Sequence, residues 1–443
     1  QKRNALEKMV DETINNEHKE YLALFSVYTA YSIFLKLVAY QVLCNIKSVE
    51  TIEPKMKDFL YNLESNEIFR KEKILNLLDG DYFQWYMESI DTNRDLETKL
   101  NSIRVKLTTY EVSEKDLYVA DIFRNFYEEY INFDIRHSLG EYFTPLWLAD
   151  FCIDEYENGV GVDNLSHNYK LIDNCCGSGA FVLAGINRKL QKNIDYKDII
   201  NSVVGIDINP LSALQARINY FIALSTKFEA NHSDIVIPIY LADSCNVPSK
   251  DEKFVYYELA TKFKDDKQYS FKVPLSILDD STKFFKSIYN VEKTILQNSY
   301  KDEMKKGLIF NELQTLSKSK FDSDETAALN QFIDDLLELQ NNKWNGIWAR
   351  IIANRIFTVK LEKEFDLVVG NPPWVKWGNL PIKYRNDLQA KADAFNLFSQ
   401  NKFLGGNSLN ICSLISYVSL ETYGNQESKL VYIMPSDMMF QAS

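Results

Sequence analysis

The sequence lacks the residue spacings that mark metal centres and disulfide frameworks. Its 443 residues include four histidines and six cysteines, and these are scattered along the chain. Cys175 and Cys176 are adjacent, but no metal-ligand spacing pairs the cysteines with the histidines. We therefore predict no metal ligands, reduced thiols and a cytoplasmic protein.

The sequence also lacks an uninterrupted apolar run that would suit a membrane span. The nearest approach covers residues 21–44, which carry Lys36, several hydroxyl side chains and four tyrosines. Polar and charged side chains are costly in the bilayer core. The stretch therefore predicts a buried helix and no membrane partner.

The sequence has fewer basic than acidic residues. The chain has 50 Lys and Arg against 62 Asp and Glu, for a net charge of −12. Because phosphate contacts favour a basic surface, composition alone disfavours a nucleic-acid partner. A local exception lies between residues 376 and 402, where five basic and two acidic residues give +3 (5 − 2). That strip suits a nucleic-acid groove, although a solvated helix face would explain the same charges.

Two patterns divide the chain. Residues 1–135 show helical periodicity with one proline and one glycine, which predicts an N-terminal helical domain that connects or docks. In the remainder, 136–443, short apolar runs alternate with helical segments, which predicts a parallel sheet with crossover connections. The runs are residues 169–174, 202–207, 235–242, 365–370 and 429–434. A long Lys-, Asp- and Asn-rich interruption predicts a helical insertion over about 246–360.

Each of the first four runs ends in a small cluster of Asp, Asn, Gly or Pro, and ligands bind outside the carboxyl ends of parallel strands. The first cluster holds Asp173, Gly177 and Gly179, and its glycines let a backbone approach a ligand closely, although such a turn alone is a weak signal. The second ends in Asp207, which either accepts both hydrogen bonds of a ribose diol or merely caps the next helix. Asp243, in the third, is placed to accept a hydrogen bond from an adenine amino group.

The fourth run is followed by Asn371, Pro372, Pro373 and Trp374. An exocyclic amine on an aromatic ring is a weak nucleophile because its lone pair is delocalised. The Asn371 oxygen and the Pro372 carbonyl can accept both amine hydrogens, which frees the lone pair, and proline keeps these acceptors aimed. Trp374 can stack on a base swung out of a double helix, a contact worth about 1–3 kcal/mol. The cluster predicts activation of an aromatic amine for attack.

With these motifs in this order, the chain resembles the gamma-class N6-adenine DNA methyltransferases. The resemblance covers about residues 136–440 and includes a leading motif, LGEYFTP, at 139–145. It implies that Tyr142, Phe143 and Thr144 help hold the methionine moiety of S-adenosylmethionine.

The resemblance also assigns roles to the four clusters. The further cofactor-binding residues are Asp173, Gly177 and Gly179 beneath the methionine moiety, Asp207 at the ribose and Asp243 at the adenine. The catalytic residues are Asn371, Pro372, Pro373 and Trp374. The sequence departs from the family at Asn174, where proline is usual, and at Trp374, where tyrosine is commonest. Asn410 stands where many relatives have aspartate, which puts a role for it in doubt.

The resemblance implies an α/β fold with a Rossmann-like class I methyltransferase sheet. It implies transfer of a methyl group from S-adenosylmethionine to N6 of adenine in double-stranded DNA, with the adenine flipped out. The long insertion and the flank after Trp374 resemble large restriction-modification or phage-defence enzymes. Such sheets carry seven strands and five runs are found. We therefore expect the C-terminal end of the fold, and further domains or subunits for target recognition, to lie outside this sequence.

Other functions share part of this pattern. The same NPP chemistry serves methylation of adenine in RNA and of glutamine in proteins, but the size, the leading motif and the insertion favour DNA. A methyltransferase-like subunit that binds DNA without turnover is a further alternative, which the intact Asn371-Pro372-Pro373 disfavours. Residues 1–135 show no convincing Asp…Glu-x-Lys nuclease pattern, so cleavage is not predicted.

Overall fold

The computed structural model describes residues 2–47, 55–78, 83–109, 122–131, 133, 143–161, 166, 168–228, 232–259, 268–341, 347–398 and 409–436. Among the predicted site residues, Tyr142 lies outside these ranges, as does most of the leading motif.

The described chain has two sheets. The strands are β1 (Leu171–Asp173), β2 (Val203–Asp207), β3 (Ile239–Leu241), β4 (Ser249–Lys250), β5 (Phe254–Leu259), β6 (Tyr269–Pro274), β7 (Phe365–Gly370) and β8 (Gly424–Tyr432). The central sheet has the order β3-β2-β1-β7-β8, and all its neighbouring strands are parallel. The chain runs outward from β1 to β3 and then returns to the other side of β1, which is the doubly wound topology of Rossmann-like folds. The predicted fold class is confirmed.

The first four predicted runs end within one residue of the observed strand ends. The fifth was predicted at 429–434, but β8 begins five residues earlier, at Gly424. Its first half is polar and partly exposed because β8 lies at an edge of the sheet as far as the structure describes it. An edge strand needs no continuous apolar run, so a prediction from hydrophobicity alone puts the start of β8 too late.

Helices cover both faces of the central sheet. They are α1 (Lys2–Val10), α2 (Glu17–Lys47), α3 (Met56–Glu64), α4 (Glu67–Lys71), α5 (Arg94–Leu107), α6 (Ile122–Tyr130), α7 (Leu146–Val160), α8 (Ala180–Gln191), α9 (Tyr196–Ile200), α10 (Pro210–Ser225), α11 (Ser281–Leu296), α12 (Asp302–Gln314), α13 (Ser323–Asn341), α14 (Ile347–Phe357), α15 (Ile382–Ala394) and α16 (Ile411–Tyr423). Successive strand residues point to opposite faces. Leu171 and Val203 pack in one core with the N-terminal helices, whereas Ile172 and Val204 pack in a second core with the insertion.

Helix α2 is the element of the described chain that is long and apolar enough to cross a membrane. In its most apolar window 56% of the residues are buried. Its fully buried Lys36 donates to Glu64 Oε2 at 2.5 Å, and Tyr86 donates to Glu64 Oε1 at 2.6 Å. A charged group in mid-helix that is paired inside the protein identifies α2 as a core helix.

The insertion between β3 and β7 contains helices α11 to α14 and also a small antiparallel sheet of strands β4 to β6 that was not predicted. Side chains alternate between buried and exposed along most of β6. Its buried face packs on the helices, with the Phe271 and Phe332 rings 5.7 Å apart. The proposed boundaries of the insertion and of the N-terminal domain stay predictions, and the N-terminal helices share one core with the sheet.

Candidate active site

The order of the central sheet reverses between β1 and β7, so the carboxyl ends of these strands flank a crevice. Ile172 pairs with Val368, which brings Asp173 beside Gly370. A Cβ on Gly370 would lie 2.8 Å from the Asp173 Oδ1 atom, so this position requires a glycine. Because Gly370 has no side chain, Asp173 can lie beside the start of the predicted catalytic loop.

The turn after β1 is open on one side. Gly177 and Gly179 have φ angles of 54° and 95°, in the left-handed region that favours glycine. Gly177 donates its backbone N–H to Asp207 Oδ2 at 2.8 Å, which ties the turn to the end of β2. A Cβ at Gly177 would meet nothing within 4 Å, so a ligand can approach the backbone there.

Both carboxylate oxygens of Asp207 accept backbone hydrogen bonds. Besides the Gly177 contact at Oδ2, Oδ1 accepts from the Asn209 N–H at 2.8 Å. The cap of α10 is Asn209, whose Oδ1 accepts from the Leu211 N–H at 3.0 Å. The alternative that Asp207 merely caps this helix is therefore wrong. Each carboxylate oxygen has a further lone pair, so Asp207 can still accept ligand hydroxyls.

Asp173 is almost fully buried, with 1% of its surface exposed. Its Oδ1 accepts from the Cys175 N–H at 3.1 Å. Burial raises the pKa of Asp173 well above its usual value; the Cys175 N–H opposes this shift and the nearby Asp207 charge adds to it. A cationic group of a ligand beside this carboxyl would favour its ionised form.

Asp243 lies in the turn after β3 and is 8% exposed. Its Oδ1 accepts from the backbone N–H groups of Cys245 at 2.8 Å and Asn246 at 3.1 Å. The Tyr384 hydroxyl of α15 also donates to Oδ1, at 3.1 Å. The turn therefore has its own backbone bonds and one bond from the segment that follows the catalytic loop.

The predicted catalytic loop leaves β7 at Asn371. The Asn371 Nδ2 donates to Thr144 Oγ1 at 3.2 Å, so the loop contacts the leading motif. Pro372 is buried. Trp374 is 46% exposed and donates from Nε1 to the Ile433 carbonyl at 3.3 Å. The indole is thus held at the protein surface.

The segment after Trp374 is anchored by backbone pairing. The Ile411 N–H donates to the Val375 carbonyl at 2.9 Å, and the Trp377 N–H donates to the Leu409 carbonyl at 2.7 Å. Asn410, between them, caps α16 by accepting from the Cys412 N–H. The side chain of Asn410 therefore has a structural role.

One cavity of about 500 Å³ lies at these strand ends, within the size range of small-molecule sites. The predicted site residues that line it are Phe143, Thr144, Asp173, Gly177, Asp207, Asp243, Asn371 and Pro373. Gly179, Pro372 and Trp374 do not line it. The predicted residues therefore come together from four strand ends and the leading motif, with Trp374 outside the cavity.

Comparisons with known proteins identify the family of the chain. Residues 201–443 match the family model described as "Eco57I restriction-modification methylase". The chain belongs to that family. Residues 118–259 also match the "N-6 DNA Methylase" family. Both matched families are DNA methylases, which agrees with the predicted family; the gamma-class assignment stays a prediction.

A solved structure similar to this methylase chain is that of a nuclease-deletion mutant of the Type ISP restriction-modification enzyme LlaGI in complex with a DNA substrate mimic. The two are 13% identical with a TM-score of 0.41, and the match covers 97% of this chain and 26% of that one. The chain thus spans about a quarter of the length of that relative. No curated protein matches the chain.

Several cavity residues of the methylase were not predicted. Tyr28 of α2 and Tyr127 of α6 line it, and Tyr127 meets Phe143 edge-on at 5.2 Å. Tyrosines at helical spacing in residues 1–135 look like ordinary core positions, so the sequence held no signal for them. Ile208 could have been found from the sequence, because it directly follows Asp207; it is 54% exposed and lines the cavity. Tyr384, in the segment that follows the catalytic loop, also lines the cavity.

The cysteines at the methylase cavity are poor nucleophiles. Cys175 and Cys176 both line it, but burial raises the pKa of each thiol well above its usual value. The protonated thiol is the unreactive form. Within the described ranges, no group of three or more His, Cys, Asp or Glu could hold a metal ion.

The basic strip of the methylase is only partly at the surface. Lys391 donates to the Cys245 carbonyl at 2.6 Å, and burial lowers its pKa. Lys402 lies outside the described residues. Lys376 is exposed, and Lys383 and Arg385 are half-buried. The positive charge available for a nucleic acid is therefore smaller than the sequence count suggested.

Proposed function

We propose that the chain transfers the methyl group of S-adenosylmethionine to the N6 amino group of adenine in DNA, as a gamma-class enzyme of a restriction-modification or phage-defence system. One observation carries the proposal. Asp173, Asp207, Asp243 and Asn371, predicted from separate motifs, line a single cavity at the switch point of the sheet. Family membership supports the same class.

The cavity suits S-adenosylmethionine. At about 500 Å³ it has room for a cofactor of this size, and its wall combines three carboxyl groups with apolar side chains such as Ile208 and Phe181. Asp207 would accept the ribose hydroxyls, Asp243 the adenine amino hydrogens, and Asp173 would face the methionine amine. Phe143 and Thr144 would cover the methionine end. When bound, S-adenosylmethionine supplies a methyl group on a positively charged sulfur.

The protein activates the target amine through fixed acceptors. Asn371 directs its Nδ2 to Thr144, so its Oδ1 points away from that contact and can accept an amine hydrogen. The Pro372 carbonyl would accept the second hydrogen. With both hydrogens held, the nitrogen lone pair would be freed from the ring for attack, and the two acceptors would stabilise the positive charge on the amine until one of its protons leaves to solvent. Trp374, held at the surface outside the cavity, would stack on the flipped base.

DNA is the proposed partner, and target recognition would require more protein than this chain. The chain carries a net charge of −12 and a modest basic strip, which is a poor basis for tight DNA binding. Further domains or subunits would supply phosphate and base contacts.

Methyl transfer to nucleic acid tests the proposal. Full-length protein is incubated with tritiated S-adenosylmethionine and, separately, with DNA of varied sequence, RNA and protein substrates. We expect label in DNA adenine. Transfer only to RNA or protein would contradict the DNA assignment.

The Asn371→Ala variant tests the mechanism. Turnover should fall by about a hundredfold or more, roughly 3 kcal/mol, because an acceptor that acts mainly in the transition state is lost. Binding of S-adenosylhomocysteine should barely change, since Asn371 faces the base. The exposed Asn379, further along the same segment, gives the matched control Asn379→Ala, which should keep wild-type turnover. Adenine methylation by Asn371→Ala at the wild-type rate would refute the mechanism.

A further inference from the structure

Helix α15 follows the catalytic loop and docks on the turn that holds Asp243. Tyr384, Leu388 and Lys391 are spaced four and three residues apart, so they lie on one face of the helix. Tyr384 donates to Asp243 Oδ1 at 3.1 Å, and Lys391 donates to the Cys245 carbonyl at 2.6 Å. Leu388, 1% exposed, packs in the same apolar cluster as Cys245. The helix therefore contacts the turn through two polar bonds on either side of a buried leucine.

The two carboxylate oxygens of Asp243 differ in the number of hydrogen bonds that they accept. Oδ1 accepts three hydrogen bonds, from the N–H groups of Cys245 and Asn246 and from the Tyr384 hydroxyl. Within the described ranges, all hydrogen bonds to this carboxylate reach Oδ1. Three donors on one oxygen fix the plane of the carboxylate and keep Oδ2 for a ligand. Both Asp243 and Tyr384 line the cavity.

The Tyr384 hydroxyl is suited to act as a permanent donor. Burial, followed by the negative charge of Asp243, raises the pKa of Tyr384 far above its usual value, so the hydroxyl keeps its proton. The two backbone N–H groups belong to the turn itself and persist whatever side chains surround it. Tyr384 is the contact that comes from a distant part of the chain, and it stands on the element next to the catalytic loop.

We propose that Tyr384 is a positioning residue that aims the Asp243 carboxylate at the 6-amino group of the cofactor adenine and so sets the specificity for that base. The inference rests on the proposed function, in which Asp243 binds the adenine of S-adenosylmethionine. A carboxylate only accepts hydrogen bonds. It therefore attracts an amino group and repels the oxygen that hypoxanthine carries at the same position. A carboxylate free to rotate would discriminate less.

Calorimetric binding of two ligands to the full chain tests this. S-adenosylhomocysteine carries the amino group, and S-inosylhomocysteine carries an oxygen in its place. The wild-type protein should prefer the adenosyl ligand by at least about tenfold. Tyr384→Phe should weaken adenosyl binding by about five- to tenfold, because the carboxylate loses one hydrogen bond that orients it, and leave inosyl binding nearly unchanged. The preference for adenine should shrink accordingly.

Tyr423→Phe is the matched control. The Tyr423 hydroxyl is buried and has no hydrogen-bond partner among the described residues, so its removal should leave both affinities at the wild-type level. If Tyr384→Phe lowers the affinity for both ligands equally, the tyrosine only packs. If its affinity for the adenosyl ligand is unchanged, the hydroxyl has no role. Either result overturns the inference.

A double-mutant cycle gives a second, independent test. If Tyr384 acts through Asp243, adding Tyr384→Phe to Asp243→Asn should change adenine preference no further. Full additivity of the two changes would contradict the inference. If the wild-type chain does not bind S-adenosylhomocysteine at all, the proposed function is wrong and this inference fails with it.

Discussion

Asn371 donates a hydrogen bond from its side-chain Nδ2 to Thr144 Oγ1 at 3.2 Å, across 227 positions of sequence. A primary amide has a donor end and an acceptor end, and this bond decides which end faces the substrate. With the donor end engaged by Thr144, the acceptor end is available to an amine. The contact also joins the segment predicted to cover the methionine moiety to the loop predicted to activate the base.

Thr144→Val should therefore impair catalysis. Valine keeps the shape of threonine but cannot accept the Asn371 hydrogen bond, so the amide loses the contact that orients it. We expect turnover at saturating cofactor and DNA to fall by about tenfold, the effect of one hydrogen bond. Thr144→Ser keeps the hydroxyl and should retain most of the activity. Single-turnover methyl transfer measures both variants, and a loss in Ser with activity retained in Val would assign the effect to packing of the threonine methyl group.

Much of the site was predictable because of where its residues stand in the sequence. Asp173 and Asp207 end their strands, and Asp243 and Asn371 follow theirs directly or after one residue. The parallel topology brings the carboxyl ends of these strands to one edge. Local patterns thus identified the residues, and a general rule of α/β folds placed them together. The Gly370 contact with Asp173 was not predicted, because it depends on the pairing of β1 with β7.

The contacts that were missed are long-range. Tyr28 and Tyr127 reach the cavity because the N-terminal helices share a core with the sheet, and no pattern within residues 1–135 shows this.

Strands β5 and β6 did carry a signal in the sequence, since FVYYEL and YSFKVP combine aromatic and branched side chains. The charged residues around them concealed it. Pairing partners of this kind are set by tertiary packing, which one sequence does not reveal.

The buried Asp173 should make cofactor binding depend on pH. Burial raises its pKa, and a ligand amine beside it would favour the ionised form, so binding near or below the raised pKa requires loss of a proton. Affinity for S-adenosylhomocysteine should therefore fall as pH is lowered through that pKa and level off above it. Calorimetry in buffers of different ionisation enthalpy would measure the released proton. Asp173→Asn should bind more weakly and show a flatter pH profile; a pH dependence as steep as that of the wild type would contradict the assignment.

The same pKa shift has a consequence for the stability of the ligand-free chain. An acid whose folded-state pKa lies above its unfolded value stabilises the fold fully below the unfolded value, near 3.8, and this contribution is lost as pH rises through the folded-state pKa. At neutral pH, Asp173→Asn should therefore raise the thermal midpoint of the ligand-free protein, and the difference should vanish in acid. A variant that melts below the wild type at neutral pH would show that the carboxylate is stabilised by its surroundings.

Trp374 should act on the substrate base and leave the cofactor site unaffected. It is 46% exposed, does not line the cavity, and is held by its Nε1 bond to the Ile433 carbonyl. Trp374→Ala should weaken capture of a flipped adenine by about 1–3 kcal/mol, the worth of one stacked base. Trp374→Phe loses the Ile433 bond, but it keeps an aromatic face for stacking and should therefore retain most of that affinity. The change is measured by the fluorescence rise of 2-aminopurine placed at the adenine that becomes methylated. Trp147, 69% exposed on α7 and also outside the cavity, provides the control Trp147→Ala, which should behave as the wild type. An undiminished fluorescence rise in Trp374→Ala would exclude stacking on this ring.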